Sequence, residues 1–453
     1  MKQAIVVIHG VGEQKPMDTV RGFVEAVMPI PANPAKPKFW SKPDPMSELF
    51  ELRKLTCPQS DEIPPTDFYE YYWAYQTKGT RFAHILSWAR TVLVRLPRNV
   101  PKHLRALWLT LWLLLLTFAA AASMSSSRMG HWMSLGQQAI ATNRFIALLS
   151  SALLLVITGF ILNYVGDAAR YLNPRPPNIR MRRRIRAEGI ELLRHLHACG
   201  EYSRVVVVGH SLGSVIAYDI LKNFWLKCNT CQEPPTKAYE NALRQLQETG
   251  MKLAEKPSDD LAGEFRRQQT LLWEQLRDIN NPWLVTDLVT VGSPLAHAAL
   301  LLAATKAELA ERQIERELPT CPPVPDDGRY WYSFKRSTDG REDTIFPLHH
   351  AALFACTCWT NLYFPAALGF FGDLVGGPLR SVLGQGIQDI PVDSLEWGGW
   401  LKHLPLIHTH YWSEKTSPQK VEDHPWALEI LRKALGLESR KWLAGVQASP
   451  DKA

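Results

Sequence analysis

Four consecutive valines, Val205–Val208, run into Gly209-His210-Ser211-Leu212-Gly213, and this stretch constrains the chain more than any other. The β-branched run favours a buried strand. A helix is expected from Leu212 to about Leu226, so the five residues between must turn sharply from strand to helix. Such a turn places a serine in a strained backbone conformation at its tip, and it needs small residues at 209 and 213 where neighbouring backbone comes close. The five-residue pattern alone also fits an ordinary glycine turn. The strand before it and the helix after it point instead to a nucleophile elbow, with Ser211 as the nucleophile.

A second apolar strand, Ile5–Ile8, ends in His9-Gly10-Val11-Gly12-Glu13. Acyl transfer at a serine builds negative charge on a tetrahedral oxygen, which two preorganised backbone N–H groups stabilise. Leu212, just after the nucleophile, and Val11, in the loop after the first strand, are the expected oxyanion donors. Gly10 and Gly12 would let that loop bend inward. His9, Gly10, Gly12, Gly209, His210 and Gly213 are read as the supporting turns. His9 precedes the nucleophile, whereas chains built around this elbow carry serine, acid and base in that order. The base is therefore sought among His297, His349, His350, His403, His408 and His410. His297 falls in an expected helix after Gly292-Ser293-Pro294, and His349 and His350 precede a strand. That leaves Leu406–Trp412, with His408 and His410 both open. Asp373, in a late Gly-rich loop, is the expected acid, with Asp389 and Asp393 in reserve.

Strands at 4–8, 68–75, 204–208, 284–291 and 355–363 alternate with helical stretches, which predicts a mostly parallel sheet with helices on both faces. Residues 236–279 carry apolar residues at helical spacing and are expected to form an inserted cap, with Leu271, Leu272 and Trp273 available to an acyl chain.

Two runs, 106–127 and 145–166, each extend 22 residues without a charge. Either is long enough as a helix to cross a hydrocarbon core of roughly 30 Å. Twelve Arg or Lys residues lie on the outer flanks of the pair, from Arg90 to Arg186, against Arg128 and Arg144 in the connecting loop. That asymmetry predicts a two-span hairpin with both flanks in the cytoplasm and Trp132 near an interface.

The net charge of +7 arises largely beside these runs. The Arg180–Arg186 cluster is therefore read as topogenic or facing anionic headgroups, and no nucleic acid is expected. Seven scattered cysteines make no disulfide framework. Cys228 and Cys231 have metal-ligand spacing but no second pair, so no metal and no cofactor is expected. The N-terminus reads as a strand, not a signal peptide.

The motifs together resemble those of bacterial lipase-like members of the α/β-hydrolase superfamily: His9–Gln14, Tyr72–Trp73, Gly209–Ser214, Val291–Leu295, Trp359–Tyr363, Gly372–Leu379 and His408–Trp412. The resemblance implies His408, from an H-x-x-Y-W segment, as the base, and Asp373, before Val375-Gly376-Gly377, as the acid. Leu374 departs from the proline more usual after that Asp. The expected fold is thus an α/β-hydrolase fold carrying a transmembrane hairpin and a helical cap. The hydrolase domain would comprise 1–103, 167–235 and 281–440, with the hairpin at 104–166, the cap at 236–280 and a tail at 441–453. The expected function is a membrane-anchored serine esterase of the lipase or phospholipase type, in the cell inner membrane with its catalytic domain cytoplasmic. Its partners would be a lipid or other ester substrate and the bilayer. A thioesterase, an amidase and a non-catalytic membrane scaffold are the alternatives.

Overall fold

A computed structural model describes residues 2–11, 15–29, 36–44, 51–59, 63–77, 97, 105, 108–109, 112–113, 116, 170–172, 176–229, 235–303, 305–338, 341–365, 372–373, 375–392, 408–412 and 426–437. Ten strands are assigned among them: β1 Gln3–Ile8, β2 Trp40–Pro43, β3 Arg53–Cys57, β4 Thr66–Tyr71, β5 Arg204–His210, β6 Val285–Val291, β7 Phe334–Thr338, β8 Arg341–Ile345, β9 Cys358–Tyr363 and β10 Gln388–Pro391. The main helices are α1 Asp18–Val27, α2 Pro176–Ala198, α3 Leu212–Cys228, α4 Lys237–Glu255, α5 Asp259–Asp278, α6 Lys306–Ile314 and α7 Ala427–Ala434.

Eight strands form one sheet in the order β10-β9-β6-β5-β1-β4-β3-β2, while β7 and β8 pair separately. The segment β10-β9-β6-β5-β1-β4 is parallel throughout; β3 is antiparallel to both β4 and β2. The sheet is therefore mixed. β2, with Pro43 at its end, is an edge strand, where a residue lacking an N–H is tolerated.

β1, β4 and β6 are buried along their whole length, and β5 up to its last residue, because both faces of the sheet are covered. Alternation sorts the side chains. Ala4, Val6, Ile8, Val205 and Val207 join a core with α2, α3, α4 and α5, whereas Ile5, Val7, Val206 and Val208 join a second core with α1 and α7. In α1 the buried residues Val20, Phe23, Val24 and Val27 follow the helical repeat. Arg432 of α7 donates to the carbonyls of Ala26 (2.8 Å) and Val27 (2.9 Å), which have no acceptor role left inside α1.

Two expectations about this architecture are corrected. Among the described residues no helix is long and apolar enough to cross a membrane. The run 145–166 lies outside the described residues, and of 106–127 only positions 108, 109, 112, 113 and 116 lie within them. The fold is accordingly an α/β fold with a mixed sheet and flanking helices, and among the described residues no inserted transmembrane hairpin is found. The two-span inner-membrane location and the bilayer as partner are withdrawn with it. Hydropathy windows register apolar composition, which alone does not make a spanning helix.

The helical pair at 237–278 exists, with Thr236 and Ser258 capping α4 and α5 through their hydroxyls. Yet α5 binds the leading ends of the strands, opposite Ser211. Gln269 donates to the carbonyls of Phe354 (2.7 Å) and Thr357 (3.0 Å), and Arg266 pairs with Asp287 at 3.2 Å. Trp273 donates to the carbonyl of Trp283, just before β6, at 3.1 Å. Leu272 is fully buried in the core, Trp273 packs against it and Leu271 faces solvent. α5 therefore does not present these residues to the serine as a cap.

Candidate active site

Ser211 sits between β5 and α3 with φ 52° and ψ −128°, a left-handed φ that a non-glycine residue adopts at a cost. The flanking glycines make the turn feasible. A Cβ on Gly209 would lie 2.5 Å from the Ser214 Cα. One on Gly213 would run into the Ile8 carbonyl oxygen and come within 2.5 Å of that of His9. The elbow is thus wedged against the end of β1, its central neighbour in the sheet. Gly10 crosses the serine from the same side, since a Cβ there would be 2.8 Å from the Ser211 Cβ.

His9 is fully buried, and its Nδ1–H donates to the Gly10 carbonyl at 2.8 Å while Nε2 accepts from the Trp73 N–H at 3.3 Å. It stacks on the Trp73 ring, whose Nε1–H donates to the His9 carbonyl. Burial pushes its pKa down to about 4, so the ring is neutral. Val11 is half-buried against the core, and Gly12 lies outside the described residues. Leu212 opens α3, so its N–H has no intrahelical acceptor.

Asp373 and His408 meet, although 35 residues separate them: Nδ1 is 2.8 Å from Oδ2. The carboxylate can only accept, so Nδ1 carries the proton. Asp373 is wholly buried, and its other oxygen accepts from the N–H groups of Val375 (2.8 Å) and Gly376 (2.9 Å). Burial opposes its ionisation, but His408, Tyr411 and Gly376 outweigh that and hold its pKa well below the usual carboxylate range.

Gly292, at φ 57°, is where these parts converge. The preceding residue, Val291, accepts the Ser211 N–H at 2.9 Å. A Cβ on Gly292 would lie 2.9 Å from the His408 Cε1 and 2.8 Å from the Tyr411 ring, and one on Gly376 would lie 2.7 Å from the Gly292 Cα. Ser293 bonds Ser214, which also donates to the Ser211 carbonyl, both contacts spanning less than 2.8 Å. Beside the serine, His210 stacks on His408 with ring centroids 5.1 Å apart and donates from Nε2 to the His408 carbonyl at 3.0 Å. Burial and the neighbouring His408 push the His210 pKa down to about 3.

The structure thus brings Ser211, Asp373 and His408 around Gly292, but it does not join all three. His408 Nε2 is buried without a hydrogen-bond partner, so the expected serine–histidine bond is not made. The other candidates are elsewhere. Asp389 accepts from Leu379, Arg380 and Asn361; buried His349 bonds the Val324 carbonyl; and His350 is exposed. His297 is buried after β6, and His403 and Asp393 lie outside the described residues. His410 lies two residues beyond His408, partly exposed. Tyr411 was not anticipated: its hydroxyl donates to Asp373 Oδ2 at 2.6 Å and accepts the Phe364 N–H at 3.0 Å. Only its place beside His408 in the sequence hinted at it.

No family model, no curated protein and no solved structure matches the chain. The resemblance to lipase-like α/β hydrolases therefore has no support beyond the short motifs, and membership of that family is withdrawn. The membrane-anchored lipid esterase it implied, with a lipid as partner, goes with it, because shared turns do not fix a family or a substrate. At the level of fold the protein is an α/β chain with an eight-stranded mixed sheet.

Proposed function

We propose that the protein is a serine hydrolase in which Ser211 attacks an acyl carbonyl. The observation that carries this reading is the buried Asp373–His408 bond, which leaves His408 Nε2 unpaired in a ring packed on Gly292, the residue after the one whose carbonyl accepts the Ser211 N–H. In the reaction, Nε2 takes the Ser211 proton as the Oγ–carbon bond forms and returns it to the leaving group as the tetrahedral intermediate collapses. Water then cleaves the acyl-enzyme by the same transfers. Asp373 keeps the proton on Nδ1 and stabilises the imidazolium. The N–H of Leu212, with that of Val11, would hold the developing oxyanion. Serine–base contacts often tighten only with substrate in place, so an open Ser211–His408 gap is compatible with this role. The machinery serves oxygen esters, thioesters and amides alike, and no cofactor takes part.

A fluorophosphonate probe tests the reading. Wild type should be labelled at Ser211, Ser211→Ala not at all, and His408→Ala slower by several orders of magnitude, with His410→Ala close to wild type. Folded wild-type protein that resists the probe would end the proposal. Loss of labelling in His410→Ala with His408→Ala unaffected would move the base.

A further inference from the structure

Asp373 Oδ2 receives two side-chain hydrogen bonds, from His408 Nδ1 at 2.8 Å and from the Tyr411 hydroxyl at 2.6 Å. We propose that Tyr411 is a positioning residue that tunes His408 by competing with it for that oxygen; the inference rests on the serine-hydrolase reading. A carboxylate oxygen that shares its charge with a second donor binds the imidazolium less strongly. The Tyr411 ring is 1% exposed and stacks on Phe364 at 4.1 Å, and its oxygen also accepts the Phe364 N–H, so the hydroxyl has no freedom to leave the carboxylate. The same ring touches the space any Cβ on Gly292 would need. Tyr411 is thus held from both sides with its hydroxyl oxygen beside Asp373.

The other groups around the pair are few. His210 faces it from β5, neutral, with His9 beyond it at the end of β1. From the 375–376 segment come only backbone N–H groups, and among the described residues His408 is the basic side chain paired with Asp373. Burial and Asp373 hold the Tyr411 hydroxyl protonated, well above its ordinary value, so it remains a donor. Its effect on the base is therefore expected across the working pH range.

Labelling by the fluorophosphonate requires neutral His408, so its rate rises with pH along an acid limb. Tyr411→Phe concentrates charge on Oδ2, steadies the imidazolium and should move that limb up by about half a pH unit, a loss of about threefold on the limb. Replacing Tyr411 by 3-fluorotyrosine keeps the bond to Phe364, makes the hydroxyl a stronger donor and should move the limb down. A residue that only fills space would not give shifts of opposite sign. Superimposable profiles for wild type and both variants overturn the role of Tyr411 and leave the serine-hydrolase reading standing. If Tyr411→Phe does not fold, the fluorotyrosine protein decides alone, and an unshifted limb there overturns the proposal. Wild type that is never labelled at Ser211 takes both down.

Discussion

Asp373→Asn exchanges one oxygen for an NH2 group and asks whether the carboxylate sets the proton on His408. Oδ1 would still accept from Val375 and Gly376, but the new NH2 would face two donors, His408 Nδ1 at 2.8 Å and the Tyr411 hydroxyl at 2.6 Å. Tyr411 can rotate its proton away. His408 can relieve the conflict only by accepting at Nδ1, which moves its own proton to Nε2, and Nε2 then has no lone pair for the serine proton. In serine proteases a wrong tautomer of this kind costs about 10⁴ in rate, equivalent to about 5.5 kcal/mol at the transition state. Stability should change far less, by about 1–3 kcal/mol, since the backbone bonds survive. The assay pairs the fluorophosphonate labelling rate with a urea midpoint. A folded Asn variant labelled within tenfold of wild type would refute the argument, because His408 would then need no carboxylate to hold its tautomer.

Other perturbations probe the scaffold. Gly213→Ala should lower the stability read from urea unfolding by about 3 kcal/mol or more, because its Cβ meets backbone oxygens of Ile8 and His9 that cannot turn aside. Gly22→Ala, in α1 with open space around it, should instead stabilise by up to about 1 kcal/mol. The depressed Asp373 pKa means that its contribution is complete above the unfolded value near 3.9 and is lost as pH falls through the lower folded value; acid unfolding of Asp373→Asn should therefore depend less on pH below about 4. Glu70 shows the opposite sign: burial raises its pKa to about 7, so stability is present below about 4.3 and is lost as pH rises through 7. Glu70→Gln should exceed wild type in stability at pH 8, by a few kcal/mol at most, and match it near pH 4.5; equal curves at both pH values would show that Glu70 is not held protonated.

Local features were legible and distant pairings were not. The elbow could be read because its needs are met within a few residues: a β-branched strand, glycines at 209 and 213 where a Cβ would strike neighbouring backbone, and a helix from Leu212. Asp373 could be proposed from its loop position and His408 over His410 only from the resemblance of its H-x-x-Y-W segment, but nothing in spacing says that their atoms lie 2.8 Å apart or that Tyr411 shares the oxygen. Those contacts exist because β6 lies between β5 and β9, which brings Gly292 beside Ser211 on one side and Gly376 with Asp373 on the other. Helical periodicity found the pair at 237–278 without revealing its place, since an apolar stripe specifies burial and not the end of the sheet that buries it. Of the two uncharged runs only positions 108, 109, 112, 113 and 116 are described, and among the described residues no helix is long and apolar enough to cross a membrane; hydropathy measures what a segment is made of and not what surrounds it. The sequence by itself determined the strands β1, β4, β5, β6 and β9 and the strained serine turn, through forces acting between near neighbours along the chain. Tertiary structure alone decided which acid faces which base, because that depends on the order of strands in the sheet.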